Sequence, residues 1–253
     1  RLPSAAPGLR VNAFARDLRH PRWLLVLPDG SVTVSEATSI PGKPRTLFHH
    51  AIVATMRRAG AVGESPNRIT LLRDADGDGN PEVRTVFLDH LNSPFGMVLV
   101  GSDFYVADTD AIRHYSYSEG QTSIQGPGET LLELPGGPIN HHWTKSLVAS
   151  KDGALLYVGV GSNSNITERG MDLEEDRAMV WEIDLETGKH RPYATGLRNP
   201  TALAVQPGTG QLWAVVNERD EIGPNLVPDY LTSVRDGGFY GWPYSYWGQT
   251  VDD

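Results

Sequence analysis

The chain has 253 residues, enough to bury a sizeable core, and its 27 glycines and 18 prolines favour many turns over long helices. The absence of cysteine excludes disulfides, thiolate nucleophiles and cysteine-ligated metal centres. A formal net charge of −9 argues against a nucleic-acid backbone as the main ligand, and no uninterrupted apolar run is long enough to span a membrane.

Four stretches share one design: a turn with proline or a polar residue, an apolar strand, a Gly/Asp turn and a second strand. The first runs from Leu18 through Pro21 to Leu27, turns at Pro28-Asp29-Gly30 and continues over Ser31–Glu36. The second runs from Leu91 through Pro94 to Val100, turns at Gly101-Ser102 and returns over Phe104–Asp108. The third leads from His142 into Leu147-Val148-Ala149, turns at Lys151-Asp152-Gly153 and returns over Leu155–Val160. The fourth begins at Gly196-Leu197-Arg198-Asn199-Pro200, passes Ala202–Val205 and returns over Leu212–Val216. Outer strands are expected at Arg68–Leu72, Ile112–Tyr115 and Ala178–Asp184.

Hairpins repeating at blade-sized spacing predict an all-β fold, a β-propeller forming one domain over residues 1–253. Four blade units are visible, so the chain reads as a propeller incomplete at its C-terminus. The longer spacing between the first two units falls in residues 39–65, where Leu47, Ala51, Ile52 and Met56 form a short helical stripe. This segment reads as an insertion lying over one end of the propeller, covering the pocket.

The run Asp74-Ala75-Asp76-Gly77-Asp78-Gly79-Asn80 resembles the start of a calcium loop, but the twelfth position of an EF-hand, which needs glutamate, is Thr85. A polar hairpin between 68–72 and 83–88 is the expectation. His141-His142 precedes an inner strand, where propeller ligands bind, beside Trp143, a ring suited to a pocket wall. A neutral imidazole there can accept a hydroxyl proton. Arg198-Asn199-Pro200 reads either as a structural turn or as an anion clamp. Asn217-Glu218-Arg219-Asp220-Glu221 follows an apolar strand directly, and its turn carbonyls are hard oxygen ligands suited to Ca²⁺.

Taken in order, Leu18–Leu24, Leu71–Gly79, Asn92–Met97, His142-Trp143-Thr144, Gly196–Pro200, Asn217–Asp220 and Tyr240-Gly241-Trp242-Pro243 resemble the soluble quinoprotein sugar dehydrogenases, in particular the sorbosone-dehydrogenase-like branch. The resemblance implies a six-bladed propeller that binds pyrroloquinoline quinone (PQQ) with Ca²⁺ and oxidises sugars or related alcohols, of which this chain covers about four blades. It implies that His142 is the general base, that Arg198, Asn199, Thr144 and Trp242 contact the cofactor, and that the turn at Glu218, Arg219 and Asp220 holds the calcium through its carbonyls. It also implies an external electron acceptor, a periplasmic or secreted location, and no nucleic-acid partner. The chain departs from the glucose-oxidising members at two positions. His141 and Ser162 stand where those enzymes carry carboxylates, so His142 is expected to be less basic and less firmly oriented.

Two other readings compete. A calcium-dependent lactonase or esterase propeller would hold a central metal through side chains, with Asp108, Asn163 and Asn217 as candidates. A non-catalytic propeller would bind carbohydrate or protein.

Overall fold

Alternation of apolar residues decides how this chain folds, because successive side chains of a strand point to opposite faces of its sheet. The computed structural model describes residues 3–39, 47–60, 63–137, 139–246 and 250–252. The first sheet pairs β1 (Pro21–Val26), β2 (Val32–Glu36), β3 (Arg68–Arg73) and β4 (Val83–Leu88) in sequence order. The second repeats the pattern with β5 (Met97–Val100), β6 (Asp103–Ala107), β7 (Ala111–Ser116) and β8 (Glu129–Glu133). The third holds β9 (Lys145–Ala149), β10 (Leu155–Val160), β11 (Met179–Asp184) and β12 (His190–Thr195). The fourth holds β13 (Pro200–Val205), β14 (Leu212–Val216) and β15 (Tyr230–Ser233). All these neighbours are antiparallel, the meander of a propeller blade. Then β16 (Gly238–Phe239) returns to lie parallel beside β12, and β17 (Ser245–Tyr246) pairs with β18 (Thr250–Val251).

The blades pack face to face through this alternation. On β6, Phe104 and Val106 join Ile69, Leu71 and Phe87 of the first blade, while Tyr105 and Ala107 join Leu147, Leu156 and Val158 of the third. On β10, Tyr157 points the other way, into a cluster with Leu203, Leu212 and Ala214 of the fourth blade. Three apolar clusters thus lie between four blades, each supplied by both neighbours. Close approach depends on Gly96 before β5, where a Cβ would come within 2.6 Å of the Leu147 backbone nitrogen. The outer faces of the arc's two end blades carry apolar side chains in solvent: Leu24 and Val26 on β1, and Trp213, Val215 and Leu231 on β14 and β15.

The expected inner strands and the outer strands at 68–72, 112–115 and 178–184 form as anticipated, to within a few residues at their ends. The 74–80 run is a hairpin connection in which Asp74 accepts hydrogen bonds from the backbone of Gly77 and Gly79, both at 2.8 Å. Within 39–65, residues 40–46 and 61–62 lie outside the described residues, while Leu47–Arg58 form helix α1. Of the expected stripe, Ala51, Ile52 and Met56 are exposed and the side chain of Leu47 lies outside the described residues; Val53 is the buried one among the helix side chains described. No helix among the described residues is long and apolar enough to cross a membrane.

Candidate functional site

The residues that open the four inner strands meet at one end of the arc. Trp23 on β1 lies 5.5 Å from Phe95, ahead of β5, and Phe95 meets Trp143, ahead of β9, edge to face at 6.1 Å between centroids. This row of rings crosses three blades. From Trp143 the rim continues through His142 to the residues that open the fourth blade. The Ser162 backbone N–H donates to the Arg198 carbonyl at 2.7 Å, and the Asn217 N–H donates to the Asn199 carbonyl at 3.0 Å. Gly161 fills the gap between them, where a Cβ would come within 2.5 Å of Asn199 Oδ1 and 2.6 Å of His142 Cβ.

The His142 ring is oriented by Ser162, whose carbonyl lies 2.8 Å from Nδ1 and whose hydroxyl lies 3.1 Å away. That hydroxyl donates to the Ser164 carbonyl at 2.6 Å, so Nδ1 is the protonated nitrogen of the neutral ring and Nε2 is left with its lone pair. A backbone carbonyl therefore does the orienting for which a carboxylate was missed in the sequence. His141 packs edge to face on His142 at 4.6 Å. Burial, with Arg198 and His141 nearby, lowers the His142 pKa from its ordinary value to about 3. The imidazole is neutral across the physiological range.

Arg198 is 1% exposed, and protein acceptors occupy all of its N–H groups. Nε donates to the Asn165 carbonyl at 3.1 Å, and one terminal nitrogen donates to the carbonyls of Asn217 (3.4 Å) and Glu218. The other terminal nitrogen donates to Asn165 Oδ1 at 2.8 Å and to the Asp220 carboxylate at 3.2 Å. Arg198 thus fastens the 162–165 loop to the 217–220 turn. Asp220 alone among its partners is a solvent-facing carboxylate, with its side chain 74% exposed.

The Glu218–Asp220 turn lies against Arg198 and Asp229. The Glu218 backbone N–H donates to Asp229 Oδ1 at 3.0 Å, and its carboxylate, 4% exposed, accepts from the Arg219 N–H at 3.2 Å. Burial raises the Glu218 pKa, helped by Asp229 and Asp252 and opposed by Arg219 and Arg198. The Arg219 side chain turns away to Asp252, so its carbonyl is the group it can offer to a metal. Trp242 is buried and donates from Nε1 to the same Asn165 carbonyl, at 3.0 Å, that Arg198 uses. Tyr240 instead braces the outer edge, its hydroxyl donating to the Ser233 carbonyl at 2.7 Å. Thr144 is half-buried at the head of β9.

The structure therefore gathers His142, Thr144, Arg198, Asn199, Trp242 and the 218–220 turn at one end of blades three and four. The three lactonase candidates are tied to separate partners. Asp108 lies 3.1 Å from Arg113, Asn163 accepts from the His141 N–H at 3.3 Å, and Asn217 donates to Asp229 at 2.6 Å. Three residues went unnoticed in the sequence. Asn165, within Ser162-Asn163-Ser164-Asn165, looked like ordinary loop, yet its side chain also accepts from the Asp220 N–H at 2.8 Å and donates to the Asp220 carbonyl at 3.2 Å. Its loop is held by buried Glu174, which accepts from the Asn163 N–H at 2.6 Å and from the Ser164 hydroxyl. Lys145 is fully buried, with Nζ 3.4 Å from the carbonyls of both His142 and Trp143. A charged residue in the run Trp143-Thr144-Lys145-Ser146 could have signalled it.

Comparison with solved structures finds the same architecture. The calcium structure of a Trichoderma reesei enzyme of carbohydrate-active family AA12 superposes with a TM-score of 0.74 at 18% identity, covering 98% of this chain and 62% of that one. The holo form of the pyranose dehydrogenase PQQ domain from Coprinopsis cinerea gives 0.72 at 18% identity, covering 95% and 58%. The PQQ-bound aldose sugar dehydrogenase of Streptomyces coelicolor gives 0.61 at 18% identity, covering 96% and 69%. At such identities the likeness establishes the fold, and the chain spans about three fifths of the first two structures. No curated protein sequence matches. The TrAA12-like family model matches residues 63–229, well over half of the chain, and the protein belongs to that family.

Proposed function

We propose that this chain carries the reacting part of a PQQ- and calcium-dependent dehydrogenase of a sugar or related alcohol. The observation that carries this reading is the paired geometry around Gly161. Asn199 Oδ1 is buried there without a hydrogen-bond partner, and His142, whose Cβ packs beside the same glycine, has no partner for Nε2 among the described residues. A buried polar atom without a partner is rare, and Asn199 Oδ1 near a neutral imidazole with a free lone pair suits a ligand rich in polar groups.

The donor set at the 217–220 turn also suits the family's cofactors. A buried carboxylate with a raised pKa, a second carboxylate on Asp229 and carbonyls with a spare lone pair are hard oxygen ligands that a divalent cation would relieve. Glu218, Arg219 and Asp220 would hold calcium through their carbonyls, with Asn199, Thr144 and Trp242 against the quinone. When bound, the quinone supplies the hydride acceptor that no side chain can provide.

The chain's own residues do the rest. Nδ1–H of His142 is held on the Ser162 carbonyl, which leaves Nε2 to take the substrate hydroxyl proton as hydride leaves the carbon. Arg198 acts through its field and through the turn it fixes. Its direct contact with a cofactor anion would replace the exposed Asp220 carboxylate. Reoxidation would require an external electron acceptor, and the family resemblance supports a periplasmic or secreted location.

Titrating the calcium-loaded protein with PQQ, followed by absorbance, and then assaying dye reduction with a panel of aldoses tests the proposal. Saturable uptake and dye reduction are expected. No spectral change and no reduction would refute it.

A further inference from the structure

At the other end of the ring row from Arg198 stands a cation that the proposed chemistry does not use. Arg22, the second residue of β1, places its guanidinium carbon over the Trp143 ring, 5.3 Å from the centroid. Its Nε donates to the Ala37 carbonyl at 2.7 Å. One face of the guanidinium is therefore stacked and one edge is tied to backbone. Its outer edge, carrying the two terminal nitrogens, meets no carboxylate or other acceptor among the described residues, although the chain carries 31 acidic side chains. Arg68, Arg73, Arg113 and Arg191, by contrast, each sit on a carboxylate.

A stacked, single-edge-tethered guanidinium is preorganised for two parallel hydrogen bonds to a planar carboxylate, a geometry that lysine cannot offer. Its stacking partner, Trp143, directly follows the proton-accepting His142 and forms the end of the Trp23–Phe95–Trp143 row. A pyranose whose hydroxyl reaches His142 would lie along these rings, with its far substituents toward the first blade.

We propose that Arg22 and Trp143 form a carboxylate-recognising subsite on the substrate side of the pocket, and that the preferred substrates are acidic sugars of the hexuronate class. This rests on the reading of His142 as the proton acceptor of a sugar dehydrogenase and adds the substrate class. The same guanidinium chemistry would suit a carboxylate of the bound quinone, so the test separates the two sources.

The holoenzyme, its Arg22→Met variant and its Arg22→Lys variant are assayed with glucuronate and with glucose, and their quinone affinity is measured by absorbance titration. Arg22→Met should lower the ratio of kcat/KM for glucuronate over glucose by about tenfold or more, the weight of one charge-assisted pair, with quinone affinity unaltered. Arg22→Lys should fall between the two, because it keeps the charge and loses the fork. An unchanged ratio overturns the proposal, and so does a variant that loses quinone affinity while keeping its ratio, since the carboxylate recognised would then be the cofactor's. Should the wild type take up no quinone, the dehydrogenase reading fails separately. Tryptophan fluorescence of the quinone-free protein then decides: a preference for glucuronate over glucose that Arg22→Met abolishes upholds the subsite, and equal binding of the two sugars overturns it.

Discussion

Replacing His142 with glutamine should flatten the acid limb of the protein's stability, with no cofactor present. In the folded chain the imidazole pKa is lowered to about 3, chiefly by burial, whereas in the unfolded chain it titrates near its ordinary value of 6.5. Between those two values the unfolded state binds a proton that the native state does not. Stability conferred by the neutral ring is therefore complete above pH 6.5 and falls as the pH drops toward 3. Integrated from pH 7 to pH 5, one such group removes about 2 kcal/mol. Urea unfolding of the wild type and of His142→Gln at both pH values isolates this quantity, because His141 and the other titrating groups are common to both chains. The wild type should lose about 2 kcal/mol more than the variant over that interval. Parallel losses, within about 0.5 kcal/mol, would mean that the ring is solvated or carries a proton, and the orientation by Ser162 would fall with it.

Gly161→Ala would put a methyl group 2.5 Å from Asn199 Oδ1 and 2.6 Å from His142 Cβ, so it should abolish quinone uptake and destabilise the fold by about 1–3 kcal/mol, read by absorbance titration and urea unfolding. Asn165→Leu leaves a buried guanidinium nitrogen and the Asp220 N–H without their shared acceptor; a loss of about 2–5 kcal/mol is expected, together with weaker terbium luminescence if the 218–220 turn binds the ion as proposed. Lys145→Met should raise stability at pH 7, because burial depresses the amine to about 7 and its carbonyl contacts are long, at 3.4 Å. Raising the pH toward 10 discharges the native amine before the unfolded one, which stabilises the wild type and should narrow the gap, as urea titrations can follow.

Much of the blade plan was legible because it depends on local alternation. Phe104 and Val106 against Tyr105 and Ala107 announce a strand buried on both faces, and the turns after Leu27 and Ala149 carry the residues such turns need. The outermost strands β8 and β12 were not legible, since Glu129, His190 and Arg191 face solvent and their residues lack the period of a half-buried strand. At the site, the position of His142 and of the 217–220 turn at the ends of inner strands could be read from the strand pattern. What Arg198 does could not. Its neighbours Asn165 and Asp220 are 33 and 22 residues away, and only folded coordinates show that they occupy its N–H groups. The helical stripe misassigned its buried residue for a related reason: Ile52 and Met56 fit the period, but which side of α1 is covered is set by what packs beside it.

The closed ring of acceptors around Arg198 makes this guanidinium part of the fold itself. A guanidinium tethered to two loops has its positive charge fixed in place, and that charge cannot be moved without loosening the joint between two blades. On the opposite rim Arg22 has one backbone carbonyl and one ring as its partners, so it can be exchanged while the joint stays intact.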